Sequence, residues 1–252
     1  MLNRWEQEQK SICELSRAIH SVRPSFGYRR TAHRILEDTG WKVSGKRVLK
    51  CMQHLGIQAR VRRKRVYGVG RENGSYPNLL ARDFKTNRPL EKVAVDVTYL
   101  YSRGTVQYLS VFLDLFNNEI LEYEISSRND LELVIAPLKR LLHANRRKIT
   151  KQSIFHSDQG IQFLSKSYHR YLEKYGIRLS MSRKGTPLDN APIESFFGWF
   201  KDEVYSDYRP RSPGELAEAV RQHAHFYNHL RPQKRLNYKA PIPYRNERLA
   251  MI

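Results

Sequence analysis

A nine-residue run, KVAVDVTYL at positions 92–100, constrains the fold of this chain more than any other stretch. The run is almost wholly apolar and rich in β-branched residues, which is typical of a strand that is buried on both faces. One charged residue, Asp96, interrupts it. The run therefore predicts a buried strand, and Asp96 is either a hydrogen-bonded core aspartate or part of a functional site.

A second acidic residue follows another short apolar stretch. In SIFHSDQGIQF, residues 153–163, the apolar segment ends at Asp158, and Gly160 comes two residues later. An acid at the end of a strand points into a cleft. The alternative is a turn residue whose side chain bonds to the backbone two positions on.

A helix is predicted within MSRKGTPLDNAPIESFFGWFKDE, residues 181–203, and it is entered from a basic loop that contains glycine. Asp189 and Asn190 are suited to capping backbone N–H groups, and Pro192 suits a first helical turn because its missing N–H costs nothing there. The helix is therefore expected to begin near Ala191.

One face of this helix combines an acid and a base. Glu194 lies in the first turn and Lys201 follows seven residues later on the same face, while Phe197 and Phe200 turn toward a core. The alternative for both charged residues is a solvated helix surface.

The remaining pattern predicts one α/β unit around these three segments. Its order, β-β-β-α-β-α-β-α, is that of the ribonuclease-H-like fold. In that fold the first and fourth strands lie side by side and the last helix packs near them, so Asp96, Asp158 and Glu194 would converge. The other predicted elements are strands at 106–116, 119–125 and 177–181 and helices at about 130–144 and 165–175.

The N-terminal part predicts three short helices in a helix-turn-helix-like unit, with Ser44 as the N-cap of the third and Gly56 at its end. The spacing from Gly40 to Lys46 matches a phosphate-binding loop. Arg47, however, stands where Ser or Thr should follow, and helices rather than a strand flank the segment, so we exclude that loop.

A basic segment follows the helical unit. Residues 41–82 contain eleven Lys or Arg and one acid, Glu72, and RVRRKR at 60–65 is the densest patch. Such a segment is expected to lie along phosphates. A solvated basic face or linker is the alternative.

The C-terminal part begins with a capping box, Ser212 to Glu215, that opens a helix, and continues as YNHLRPQKRLNYKAPIPYR, which we expect to be extended along nucleic acid. Four segments are therefore predicted. They are a helical unit at 1–58, a basic linker at 59–88, a ribonuclease-H-like catalytic core at 89–207 and a C-terminal helix with a basic tail at 208–252.

Charge and cysteine content narrow the class of protein. Lys and Arg number 45 against 25 Asp and Glu, a net charge of +20, which indicates a polyanionic partner. No apolar run approaches 20 residues and no signal peptide is present, so we expect a soluble protein that does not act at a membrane. Cys13 and Cys51 are too few and too far apart for a disulfide framework or a zinc site, which fits a reducing cytoplasm.

Three carboxylates without a cysteine or histidine cluster are hard oxygen ligands of the kind that hold Mg²⁺ or Mn²⁺. Two such ions about 4 Å apart can assist an in-line displacement at phosphorus. Two other acidic residues are candidates for the role of metal ligand. Asp114 lies in the second strand with no partner spacing, and Asp189 is better suited to a cap.

Five segments together resemble the retroviral-integrase-like transposases of bacterial insertion sequences, in particular the catalytic second-frame protein of the IS-three family. They are FGYRRTAHRIL, VAVDVTYL, FHSDQGIQF, SRKGTPLDNAPIESFFGWFKDE and YNHLRPQKRL. The resemblance implies a DNA transposase that needs no ATP. Two alternatives remain open: a ribonuclease-H-like nuclease that cuts without joining, and a DNA-binding protein with an inert core.

The resemblance also implies site residues and partners. Asp96, Asp158 and Glu194 would be catalytic and would hold Mg²⁺ or Mn²⁺, as two ions. The expected partners are element-end and target DNA, further copies of this chain on that DNA, and a helix-turn-helix segment from an upstream frame, all in a bacterial cytoplasm near the nucleoid. The predicted DNA contacts are Lys201, Arg183, Lys184, Arg60, Arg62, Arg63, Lys64 and Arg65.

Overall fold

A five-stranded mixed sheet lies at the centre of the computed structural model, which describes residues 4–59 and 76–251. The strand order is β3-β2-β1-β4-β5; β1, β2 and β3 are antiparallel neighbours, whereas β4 and β5 run parallel to β1. The prediction that the first and fourth strands lie side by side is confirmed. The strands are β1 Lys92–Ser102, β2 Thr105–Asp114, β3 Ile120–Ser126, β4 Ile154–Ser157 and β5 Arg178–Met181.

Helices cover both faces of this sheet. The described helices are α1 Arg4–Val22, α2 Tyr28–Thr39, α3 Gly45–His54, α4 Glu132–Ala144, α5 Lys166–Lys174, α6 Ala191–Glu203, α7 Pro213–His229 and α8 Pro241–Ala250. None of them is long and apolar enough to cross a membrane.

The alternation of side chains along β1 explains why the run is apolar throughout. Val93 and Val95 pack in the core cluster that contains α4, whereas Ala94 packs in the cluster that contains α6 and α7. Because alternate residues of a strand share a face, Asp96 lies on the same side as Ala94. The acid of β1 therefore faces the layer that α6 belongs to.

The N-terminal helices pack around their own apolar cluster, whose members include Ile12, Ile35 and Val48. The side chain of Ser44 caps α3 by accepting from the backbone N–H of Arg47. Gly56 has a φ of +64°, as expected for a residue that ends a helix. Three helices with the predicted cap and helix end thus pack together in this part of the chain.

The C-terminal tail is not extended, and that prediction is wrong. A single 3₁₀ turn spans Lys234–Leu236, and α8 follows it. The tail turns back because Gln233 and Lys239 form a backbone bridge and because the Asn117 side chain donates to the carbonyl of Pro241 at 2.9 Å. Proline in the first turn of α8 favours a helix there.

Candidate active site

The sheet register places the first two predicted acids next to each other. Ala94 of β1 pairs with His156 of β4 in a parallel register, and Asp96 and Asp158 each come two residues after this last pair. Neighbouring strands are about 4.8 Å apart. Asp158 is the first residue after β4, where the strand opens to solvent.

The third acid is supplied by α6, which packs against β1. Glu194 lies in the first turn of this helix, and Ile193, Phe197 and Phe200 anchor the helix in the core. The buried positions of Phe197 and Phe200 are those the helical spacing predicted. We refer to Asp96, Asp158 and Glu194 as the acidic site.

The electrostatics show that these side chains share one environment. The pKa of Asp96 is raised to about 8, mainly by burial and also by the negative charges of Asp158 and Glu194. The backbone N–H of Val97 and the charge of Lys201 act in the opposite direction. Burial also raises the pKa of Asp158. Within the described residues, no three His, Cys, Asp or Glu side chains are already grouped at metal-binding positions. The acidic site is thus a concentration of carboxylates whose mutual repulsion a divalent cation would relieve.

The Asp158 carboxylate lies so close to residue 160 that only glycine fits there. The backbone N–H of Gly160 donates to Asp158 Oδ1 at 2.8 Å, so the side-chain turn considered from sequence is present. A Cβ atom at position 160 would lie 2.9 Å from that same oxygen, closer than such atoms approach in real structures. The turn engages Oδ1 and is therefore compatible with a ligand role for the carboxylate.

His156 supports this strand end and was not recognised from the sequence. It is fully buried, and its two ring nitrogens lie 2.8 Å from Ser180 Oγ and 3.0 Å from Ser182 Oγ. Burial lowers its pKa to about 4, so the ring is neutral at physiological pH. The signal that could have found it is its place two residues before Asp158, on the same face of the strand.

Asp189 does not cap α6, which corrects the prediction for this residue. Its buried carboxylate accepts from the guanidinium groups of Arg183 and Arg82 and from the amide of Asn78, and Arg183 holds its pKa far below the ordinary value. The Asn190 side chain makes no cap bond either. Charged guanidinium donors bind a carboxylate more strongly than neutral backbone N–H groups do. Asp189 therefore pairs with the two arginines instead of capping α6, and these bonds hold the loop that leads into the helix.

The predicted DNA contacts are distributed over three places. Lys201 is partly buried, and its positive charge lowers the pKa of Asp96. Arg183 forms an ion pair with Asp189, and Lys184 is exposed in the same loop. The five basic residues between positions 60 and 65 lie outside the described residues.

The second rival acid, Asp114, has a structural role. Its carboxylate is fully buried and accepts from the backbone N–H groups of Leu90 at 2.8 Å and Phe116 at 3.0 Å. Burial raises its pKa to about 7. These bonds join β2 to the segment that enters β1.

Comparisons with known proteins agree with this geometry. Two models of the integrase core domain match residues 86–187 and 175–241, and a model of an HTH-like domain matches residues 6–65. The putative transposase InsK of insertion sequence element IS150 from Escherichia coli is 36% identical over 97% of this chain and 85% of its own length. The transposase of IS904 from Lactococcus lactis is 30% identical over 95% of both chains. This chain belongs to the insertion-sequence transposases that have an integrase core.

The fold of the transposase also has a solved counterpart. The integrase catalytic core domain of HTLV-2, solved in complex with magnesium, aligns with a TM-score of 0.52 and 16% identity over 64% of this chain and 99% of that domain. The core is therefore ribonuclease-H-like, as the element order predicted. The protein is a DDE-type polynucleotidyl transferase, an enzyme that acts on DNA.

Proposed function

We propose that the transposase cleaves the ends of an insertion sequence and joins them to target DNA at the acidic site. The observation that supports this most directly is the shared field of Asp96, Asp158 and Glu194 on the α6 side of the sheet. Three carboxylates are a donor set that suits Mg²⁺ or Mn²⁺, and two ions can be accommodated between an anionic site and an anionic substrate. The related HTLV-2 domain was solved with magnesium.

In this proposal two phosphoryl transfers follow one another. A water oxygen attacks the phosphorus at the element end, and the P–O3′ bond breaks to leave a 3′-OH. That 3′-OH then attacks a target phosphodiester, and the displaced target 3′-oxygen leaves. Each step exchanges one P–O bond for another, so no ATP is needed. Bound divalent ions would activate the attacking oxygen and stabilise the leaving one.

The residues of this chain supply position and charge. The rigid β1 strand fixes Asp96, the turn at Gly160 fixes Asp158, and the first turn of α6 fixes Glu194. Lys201 lies two helical turns from Glu194, about 10 Å along the axis, within reach of a phosphate near the scissile one. The loop with Arg183 and Lys184 would contact the backbone of the same DNA, and the basic residues 60–65 would add further phosphate contacts.

We further propose the setting in which this reaction occurs. Several copies of the transposase would bind the two element ends together, with a helix-turn-helix segment from an upstream frame contributing to end recognition. The reaction would take place in the bacterial cytoplasm, on DNA of the nucleoid. The excess of 20 positive charges over negative ones favours association with DNA in any sequence.

The test is a cleavage and joining assay with labelled element ends, Mn²⁺ and a target plasmid. Asp96→Asn, Asp158→Asn and Glu194→Gln should each abolish cleavage and joining while DNA affinity in metal-free buffer stays within about twofold. Asp130→Asn and Glu132→Gln, two acids at the start of α4, are matched controls and should retain activity. Full activity in any one of the three site variants would refute the proposal.

The same assay separates the alternatives and tests Lys201. Nicked products without joined ones would indicate a nuclease, and no metal-dependent product at all would indicate an inert DNA-binding protein. Lys201→Ala should lower joining more than it lowers DNA affinity, because one lost contact hardly changes binding but misplaces the phosphate. Equal joining rates for Lys201→Ala and wild type at subsaturating DNA would assign this lysine to the solvated surface.

A further inference from the structure

A second cleft lies away from the acidic site, between the start of α2, one side of α6 and the C-terminal tail. Its volume is about 530 Å³. Five Arg or Lys residues and five aromatic residues line it, and none of the described residues that line it is acidic. This combination of cations and aromatic rings distinguishes the cleft from an ordinary solvated surface.

The cleft is on the opposite side of α6 from Glu194. Pro192, Ser195 and Trp199 of α6 line it. At 100° per residue, these three positions lie between roughly 100° and 160° around the helix from Glu194. A ligand in the cleft is therefore separated from the acidic site by the thickness of the helix, and it cannot be the scissile phosphate.

Some of the cations have structural partners and two project into solvent. Arg30 and Arg231 donate to the buried carboxylate of Glu203, and Arg235 donates to backbone carbonyls of the β2–β3 turn. Arg29 and Lys234 are exposed on the two facing walls, one at the start of α2 and the other in the tail. The guanidinium of Arg29 lies over the Tyr28 ring, 4.8 Å from its centroid. Both side chains are accessible to a phosphate backbone that enters the cleft.

Of the five aromatic side chains, Phe196 and Tyr227 are buried, whereas Trp199 and Tyr238 reach the surface. Trp199 is 42% exposed although it lies on a helix that is mostly buried. Tyr238 stacks on His33 with ring centroids 5.1 Å apart, and Asn237 and Tyr238 both have positive φ, 54° and 62°. Such backbone conformations persist only where the surrounding structure enforces them. The tail thus holds an aromatic wall against α2.

We propose that this cleft binds a single-stranded segment of DNA. Cations along a groove follow the phosphate backbone, and aromatic faces stack on bases, which are accessible only where they are unpaired. The inference rests on the proposed function in that the polymer is DNA, because the bases beside a cut become accessible where the cut strand separates from its partner. The cleft would hold such a strand while the acidic site acts on the other side of α6.

The first test follows the fluorescence of Trp199. The full-length double variant Trp5→Phe/Trp41→Phe leaves Trp199 as the only tryptophan. Titration with a 20-nucleotide oligo-dT in buffer without divalent metal should quench its emission as the base stacks on the indole, whereas inorganic polyphosphate of equal charge should not. Binding of oligo-dT detected by anisotropy without any change in Trp199 emission would overturn the proposal, as would equal quenching by a blunt duplex.

The second test removes the two exposed cations. Arg29→Gln/Lys234→Gln should weaken oligo-dT binding about tenfold and reduce the slope of log K against log salt by about 1.4, the value for two contacts to a single strand. Arg147→Gln/Lys148→Gln removes the same charges from the exposed turn that follows α4 and should leave the slope nearly unchanged. Equal losses in both variants would indicate a general charge effect and refute the site. Because no metal is present, this result is independent of whether Asp96, Asp158 and Glu194 are catalytic.

Discussion

Each end of α6 carries a glutamate, and the two glutamates lie in opposite electrostatic environments. Glu194, in the first turn, shares its surroundings with the carboxylates of Asp96 and Asp158, and the pKa of Asp96 is raised. Glu203, in the last turn, is 1% exposed and accepts from Arg30 at 2.9 Å and from Arg231 at 2.6 Å. We refer to Glu203 with these two arginines as the Glu203 cluster.

The direction of the pKa shift separates the two roles. Burial alone would raise the pKa of Glu203, but the charges and hydrogen bonds of Arg231 and Arg30 outweigh burial and lower it well below the ordinary value. The cluster joins α2, α6 and the tail, so it holds the N-terminal unit against the core. A carboxylate satisfied by protein cations stabilises the fold, whereas carboxylates crowded against each other favour binding of a cation from solution.

The largest expected difference between variants at the two ends of α6 is in the free energy of unfolding. Glu203→Gln should lower the free energy of unfolding by about 3 to 5 kcal/mol, because it leaves Arg30 and Arg231 buried without their counter-charge. Glu194→Gln should change it by no more than about 1 kcal/mol, since it relieves repulsion at a partly exposed site. Urea unfolding followed by circular dichroism measures both. Similar losses in the two variants would remove the contrast between the ends of α6.

The pH dependence of that loss should follow the lowered pKa of Glu203. An unfolded glutamate titrates near pH 4.3, and the folded Glu203 titrates lower, so its contribution is fully present above about pH 5 and is lost as the pH falls through the folded pKa. The difference in unfolding free energy between wild type and Glu203→Gln should therefore be constant from pH 8 to about pH 5.5 and shrink below it. A difference that grows on acidification would contradict this sign.

A smaller effect, confined to activity, is expected at Gly160. Gly160→Ala places a methyl group 2.9 Å from Asp158 Oδ1, so the carboxylate must shift. Joining should fall by about 100-fold, the scale of a displacement near 1 Å at a catalytic site. Gly214→Ala is the matched control because nothing lies within 4 Å of its added methyl group. Unchanged joining in Gly160→Ala would show that the position of Asp158 is not critical.

The sequence was sufficient to predict the sheet because its strands follow local patterns. The unbroken apolar run of β1 reflects burial on both faces, with Val95 on one side and Ala94 on the other. Asp96 and Asp158 each interrupt or end such a run, and each comes two residues after the last pair of the parallel β1–β4 register. The order of the elements determined which strands are neighbours.

Long-range charge pairing could not be predicted in the same way. Asp189 precedes a helix as a cap would, and only the folded chain brings Arg82 to it, 107 positions earlier in the sequence. Glu203 looks like one more helix acid until Arg30 and Arg231 meet it from opposite ends of the chain. The turn of the tail before α8 likewise depends on contacts with Asn117 that no local pattern specifies.

The most direct test of the account is thermal unfolding with and without Mn²⁺ in three proteins: wild type, Glu194→Gln and Glu203→Gln. A ligand at 100 times its dissociation constant stabilises a fold by about 2.7 kcal/mol, and wild type should show an increment of that order. Glu203→Gln should melt at a lower temperature yet gain the same increment, whereas Glu194→Gln should melt near wild type and gain much less. An undiminished increment in Glu194→Gln, or its loss in Glu203→Gln alone, would contradict the assignment of the metal to the acidic site.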